Sequence, residues 1–107
     1  MTHDALRKIF IRKGWDVLSA MTVAGGLALL DPPPDCVILD LMLPDGGGEA
    51  VLRRVRDEKL KTRVAVCTGM EDPARLARVV GMEPEALLRK PISLADVYRV
   101  CEMTGKD

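Results

Sequence analysis

Apolar and polar positions along the chain alternate between a helical and a strand-like period. Leu6, Ile9 and Phe10 fall on one face of a helix, and Gly14 supplies a natural stop. Trp15 to Ala20 is short and rich in apolar residues, which predicts a strand. Ala24, Leu27 and Ala28 return to helical spacing ahead of the breaker Asp31-Pro32-Pro33-Pro34. Cys36-Val37-Ile38-Leu39 is a continuous apolar run, the pattern of a strand covered on both faces. Beyond a glycine-rich turn, Val51, Leu52 and Val55 define another helix, and Val64-Ala65-Val66-Cys67 a second buried strand. Asp72-Pro73 reads as an N-cap followed by proline at the first helical position, opening a helix through Leu76, Val79 and Val80. Ala86-Leu87-Leu88 is a further short strand. Ser93 and Asp96 then form a capping-box-like start to a last helix bearing Leu94, Val97, Tyr98 and Cys101.

This alternation predicts an α/β fold, a doubly wound parallel sheet with helices on both faces and right-handed crossovers. The chain of 107 residues accommodates one core, so residues 1–107 are read as a single domain. Sixteen basic and sixteen acidic residues cancel, leaving no global field to attract nucleic acid. No apolar run approaches the length of a membrane span, and the first residues do not resemble a signal peptide. Cys36, Cys67 and Cys101 lack metal-type spacing and lie in apolar stretches. They are read as buried thiols of a reducing, cytoplasmic location.

Chemistry enters at the ends of the strands. Leu39 is followed by Asp40, Cys67 by Thr68, and Leu88 by Arg89 and Lys90. Open parallel sheets bind ligands beyond the carboxyl ends of their strands. A carboxylate, a hydroxyl and an ammonium should therefore converge on one edge of the sheet. The carboxylate would serve as nucleophile or metal ligand, while the other two could hold a phosphoryl group. For any one of these residues, water at a strand end is explanation enough; three in register ask for more.

Val37 to Gly48, with its core Asp40-Leu41-Met42-Leu43-Pro44-Asp45, resembles the phosphoacceptor strand and loop of response-regulator receiver domains. Val66-Cys67-Thr68-Gly69 and Leu88-Arg89-Lys90-Pro91 resemble that family's fourth and fifth strands, and the resemblance runs from about Ala5 to Cys101. It implies a flavodoxin-like fold and a role in two-component phosphorelay signalling. Asp40 would accept a phosphoryl group from a histidine kinase or phosphotransfer protein, and the output would pass to a downstream effector protein. Thr68 would hydrogen-bond the phosphoryl group and Lys90 would pair with it. Mg²⁺ would bind Asp40 and the backbone carbonyl of Met42. The Lys90-Pro91 bond corresponds to one that is cis in the family. Gly46 to Gly48 would let the loop turn tightly, though such a run is also ordinary turn punctuation, and Gly69 would either keep a side chain from crowding the acceptor or simply turn the chain from strand to helix.

The sequence departs from the family in two respects. Receivers open with an apolar strand ending in two acidic residues that bind Mg²⁺, and alignment places that pair before residue 1, so the chain reads as N-terminally truncated. Asp4 aligns inside the first helix. Asp45 is read as a turn residue and His3 as a terminal residue rather than as substitute ligands. Impaired phosphorylation is expected, and the lost central strand favours a homo-oligomer that covers the gap. The second departure is Leu87, which stands where the family often has an aromatic switch residue. Two functions follow: a phosphorylation-controlled receiver, or a degenerate receiver that acts as a phosphate-independent binding or dimerisation module. A dehalogenase-type phosphatase would need a second aspartate where Met42 stands. No enzymatic activity is expected beyond self-phosphorylation and self-dephosphorylation of the aspartate.

Overall fold

A computed structural model describes residues 3–69 and 72–104. Its elements run α1 (His3–Arg12), α2 (Val23–Ala28), β1 (Cys36–Asp40), β2 (Met42–Leu43), β3 (Gly46–Gly47), α3 (Glu49–Asp57), β4 (Arg63–Thr68), α4 (Pro73–Gly81), β5 (Ala86–Arg89) and α5 (Leu94–Thr104). β1, β4 and β5 form a parallel sheet in the order β1-β4-β5, and β2 and β3 pair as a minimal antiparallel hairpin. His3 begins α1, but its side chain lies outside the described residues.

The apolar runs form the sheet because both of its faces are covered. Alternate side chains of a strand point to opposite faces. On β1, Val37 and Leu39 turn to a cluster built with Val51, Leu52, Val55 and Val79 of α3 and α4. Cys36 and Ile38 turn to a second cluster with Phe10 of α1 and with Val97 and Cys101 of α5. β4 is the middle strand, and every residue from Val64 to Thr68 is buried. β1 is less buried, in keeping with its single strand partner among the described residues. The doubly covered parallel α/β fold expected from the sequence is therefore present.

Helix ends follow local chemistry. Gly14 (φ +92°) closes α1, with its N–H bonded to Ile11 O and the Trp15 N–H to Phe10 O. Trp15 then packs edge-on against Phe10 at 5.9 Å, the apolar contact that accompanies this type of helix stop. Asp72 caps α4, accepting from Ala74 N and Arg75 N, and Pro73 follows it as expected. The proposed capping box on α5 is only half formed. Ser93 Oγ accepts from Ala95 N, whereas the Asp96 carboxylate turns to Arg99 at 3.2 Å.

One expected strand is absent. Residues 15–20 adopt no regular structure and join no sheet. Trp15 and Val17 lean on the α1–α5 cluster, while Leu18 is 68 % exposed. An apolar-rich run becomes a strand only where a neighbour satisfies its backbone groups, and β1 pairs instead with β4. This arrangement predicts that Leu18→Ala changes stability by no more than about 0.5 kcal/mol. Leu52→Ala, at a fully buried site on α3, should cost about 2–5 kcal/mol. Urea denaturation of the two variants checks both values.

Candidate functional site

Strand register brings the three polar strand ends together. Asp40 is the Cα partner of Cys67, Thr68 is the partner of Arg89, and Lys90 follows directly. The Lys90 Nζ lies 2.7 Å from Asp40 Oδ2, and the other carboxylate oxygen accepts from Met42 N at 2.9 Å. Asp40 is therefore held from both sides yet remains partly exposed, at 37 % of its side chain. Thr68 is fully buried at the end of β4, and its carbonyl accepts from Lys90 N at 2.9 Å. The Lys90-Pro91 peptide bond is cis, as is Asp31-Pro32. Leu87 is half-buried against the cluster beneath α3 and α4, with no aromatic ring at its position.

The loop after Asp40 is held by residues that sequence patterns did not identify. Arg75 of α4 donates to both carboxylate oxygens of Glu49, at 2.7 and 2.6 Å, and to the carbonyl of Leu41 at 2.9 Å. This forked contact ties the start of α3 and the residue after Asp40 to α4. It holds the Glu49 carboxyl below its ordinary value, and Glu49 in turn raises the Arg75 guanidinium. A helical period finds the buried face of α4; it does not say which charged residue folds back across the loop.

Gly48 has the tightest surroundings of the loop glycines. A Cβ there would overlap the carbonyl oxygen of Asp40 and crowd Leu39 at 3.2 Å. Its requirement is close approach rather than an unusual dihedral, since its φ is −62°. A Cβ on Gly69 would only rest on the Lys90 side chain at 3.8 Å. A side chain at Gly69 would therefore meet the lysine stem at ordinary contact distance. Cys67 is a further neighbour that the motif did not single out. Burial raises its thiol to about 11, with the Asp40 charge adding to the shift.

Asp45 turns away from the strand ends. Its carboxylate accepts from Val23 N at 2.7 Å and Ala24 N at 3.2 Å, capping α2 together with Thr22. Mg²⁺ prefers six oxygen ligands in near-octahedral order. Asp40 and the Met42 carbonyl are expected from the sequence to contribute two of these, but Asp45 is committed elsewhere and Lys90 pairs with Asp40. Among the described residues no group of three or more His, Cys, Asp or Glu side chains is placed to hold a metal. These residues do not by themselves make up a Mg²⁺ site. Nor is any helix among them long and apolar enough to cross a membrane.

Comparison with known proteins agrees with this fold. The family described as "Response regulator receiver domain" matches residues 1–102. The chain is 35 % identical over 88 residues to the transcriptional regulatory protein TrcR of Mycobacterium tuberculosis, covering 79 % of this chain and 34 % of that protein. It thus spans about a third of that relative. Among solved structures, the CheY-like receiver domain protein of Methanospirillum hungatei superimposes with a TM-score of 0.83 at 21 % identity, covering 94 % and 81 % of the two chains. A response regulator from Burkholderia pseudomallei, solved with a phosphorylated aspartic acid, a calcium ion and citrate, superimposes with a TM-score of 0.79 at 21 % identity. That match covers 92 % of this chain and 58 % of the other.

Two measurements follow from the loop. Gly48→Ala should cost about 1–3 kcal/mol, because a methyl group must displace backbone, and chemical denaturation will show it. Asp45 is held below its ordinary value of 3.8 by the Val23 and Ala24 N–H groups. A lowered folded-state value stabilises the fold above pH 3.8 and loses that contribution as the pH falls from there through the folded value. Denaturation midpoints between about pH 5 and pH 2 should fall less steeply in Asp45→Asn.

Proposed function

The chain belongs to the response regulator receiver family, and on that premise we propose that Asp40 accepts a phosphoryl group from the phosphohistidine of a histidine kinase or a phosphotransfer protein. The 2.7 Å pairing of Asp40 with Lys90 at the carboxyl edge of the sheet carries the reading. A carboxylate oxygen attacks phosphorus, and the phosphorus–nitrogen bond breaks with its electron pair going to nitrogen. The imidazole, protonated on its other ring nitrogen, leaves neutral, with an acyl phosphate left on Asp40. Lys90 offsets charge on the transferred oxygens, and Thr68 donates its hydroxyl to one of them. The Burkholderia neighbour, solved with a phosphorylated aspartic acid, supports an aspartate as the kind of acceptor.

Phosphoryl uptake by this chain alone is expected to be slow. Mg²⁺ acts in the family by neutralising charge beside the acceptor, and Asp40 with the Met42 carbonyl offers few of the six oxygens it prefers. The same observation favours the second reading, a degenerate receiver that binds partners without phosphate. In either case the output passes to an effector protein through the receiver surface, and the phosphoryl chemistry of the chain itself consists of gain and loss of phosphate on Asp40.

Incubation with acetyl phosphate and millimolar Mg²⁺, read by intact mass and peptide mapping, distinguishes the readings. The expected result is slow addition of one phosphoryl group at Asp40, absent in Asp40→Asn. Lys90→Ala should slow the addition by about 100-fold. It should change stability by less than about 1 kcal/mol, because the ion pair is half-exposed. Addition that survives Asp40→Asn would overturn the assignment, and no addition over days would leave the phosphate-independent module as the function. Rapid stoichiometric addition would remove the expectation of slow uptake.

A further inference from the structure

A second reactive pair lies well away from the phosphoacceptor. Cys36 opens β1 and Cys101 lies on α5. Although 65 residues apart in sequence, their Sγ atoms approach to 3.4 Å. Cys36 sits four residues before Asp40 on the same strand, about 13 Å from it along the strand. Phe10, Ile38, Leu88 and Val97 belong to the same cluster, which makes the pair a fixed feature of the α1–α5 side of the sheet. Cys101 is 5 % exposed and Cys36 half-buried, so a small neutral oxidant suits the site better than a bulky one.

The two thiols are chemically unequal. Their mutual hydrogen bond lowers the Cys101 thiol and raises that of Cys36, with burial adding to the rise. Of the two, Cys101 is therefore the thiol that gives up its proton more readily. Cys67 provides an internal contrast, since burial and the Asp40 charge hold its thiol at about 11.

We infer that Cys36 and Cys101 form a reversible intramolecular disulfide under hydroperoxide, fastening α5 to the strand that carries Asp40. The Cys101 thiolate attacks one peroxide oxygen, the O–O bond breaks, and a sulfenic acid forms as hydroxide leaves and takes a proton to become water. Cys36 sulfur then attacks the sulfenic sulfur. The S–S bond forms, the S–O bond breaks, and the departing hydroxide leaves as water with the Cys36 proton. One hydrogen peroxide is reduced to two waters while two thiols are oxidised. The inference stands whether or not Asp40 is the phosphoacceptor.

Hydrogen peroxide treatment of the full chain, with intact mass and a non-reducing digest, tests it. The expected result is a loss of about 2 Da, a linked peptide joining Cys36 to Cys101, and reversal by dithiothreitol. Cys67→Ser should behave like the parent chain. Cys36→Ser should stop at a Cys101 sulfenic acid, trapped by dimedone. The digest of the parent chain remains decisive even if that variant folds poorly. A digest without the linked peptide, or with Cys67 or a second chain supplying the partner, would overturn the inference.

Discussion

Burial of β4 between two ladders and two helical layers is the constraint on which the rest of the structure depends. From Val64 to Thr68 its side chains are lost to solvent, and its backbone bonds to β1 on one side and β5 on the other. Each fully buried valine stabilises by about 1.5–3 kcal/mol, and a slip of one residue would turn every side chain to the wrong face. The register is therefore strongly specified, and it decides where each strand stops. Asp40 falls opposite Cys67, Thr68 opposite Arg89, and Lys90 just beyond, which gathers three polar groups from distant parts of the chain.

The loop after Asp40 is shaped by polar contacts rather than by apolar burial. Gly48 lets backbone pass against the Asp40 carbonyl, Arg75 grips Glu49 and Leu41 O, and Asp45 reaches back to α2. These contacts link the Asp40 loop to α2, α3 and α4 through short, directional bonds. A change in charge at Asp40 acts first on its bonds to Lys90 Nζ and Met42 N. Arg75 joins Leu41, the residue after Asp40, to α3 and α4 through its bonds to Leu41 O and Glu49. Leu87 carries no aromatic ring beside this network.

The cores on the two sides of the sheet differ in character. The side of α3 and α4 is aliphatic, built from leucine and valine. The opposite side combines Phe10, Trp15 and Tyr98 in edge-on contacts with two sulfur atoms at close range. Aromatic edges and polarizable sulfur fill an irregular space that branched aliphatic residues would fill less well. The same packing gives α5 a chemically distinct attachment to β1.

The sequence by itself determined the sheet strands at Cys36, Val64 and Ala86, the helices that follow them, and the position of Asp40, Thr68 and Lys90 at or just beyond the strand ends. These features are written in local periods and in polar residues that end apolar runs. Asp72-Pro73 and Gly14 were equally legible, because caps and stops act over a single turn. Only the tertiary structure decided that residues 15–20 stay out of the sheet, since a strand needs a partner as well as a pattern. It also decided that Asp45 caps α2, that Arg75 crosses to Glu49, and that Cys36 meets Cys101. Those contacts join residues more than twenty positions apart, and no local rule of spacing carries that information. Chain geometry alone brings them within a few ångströms.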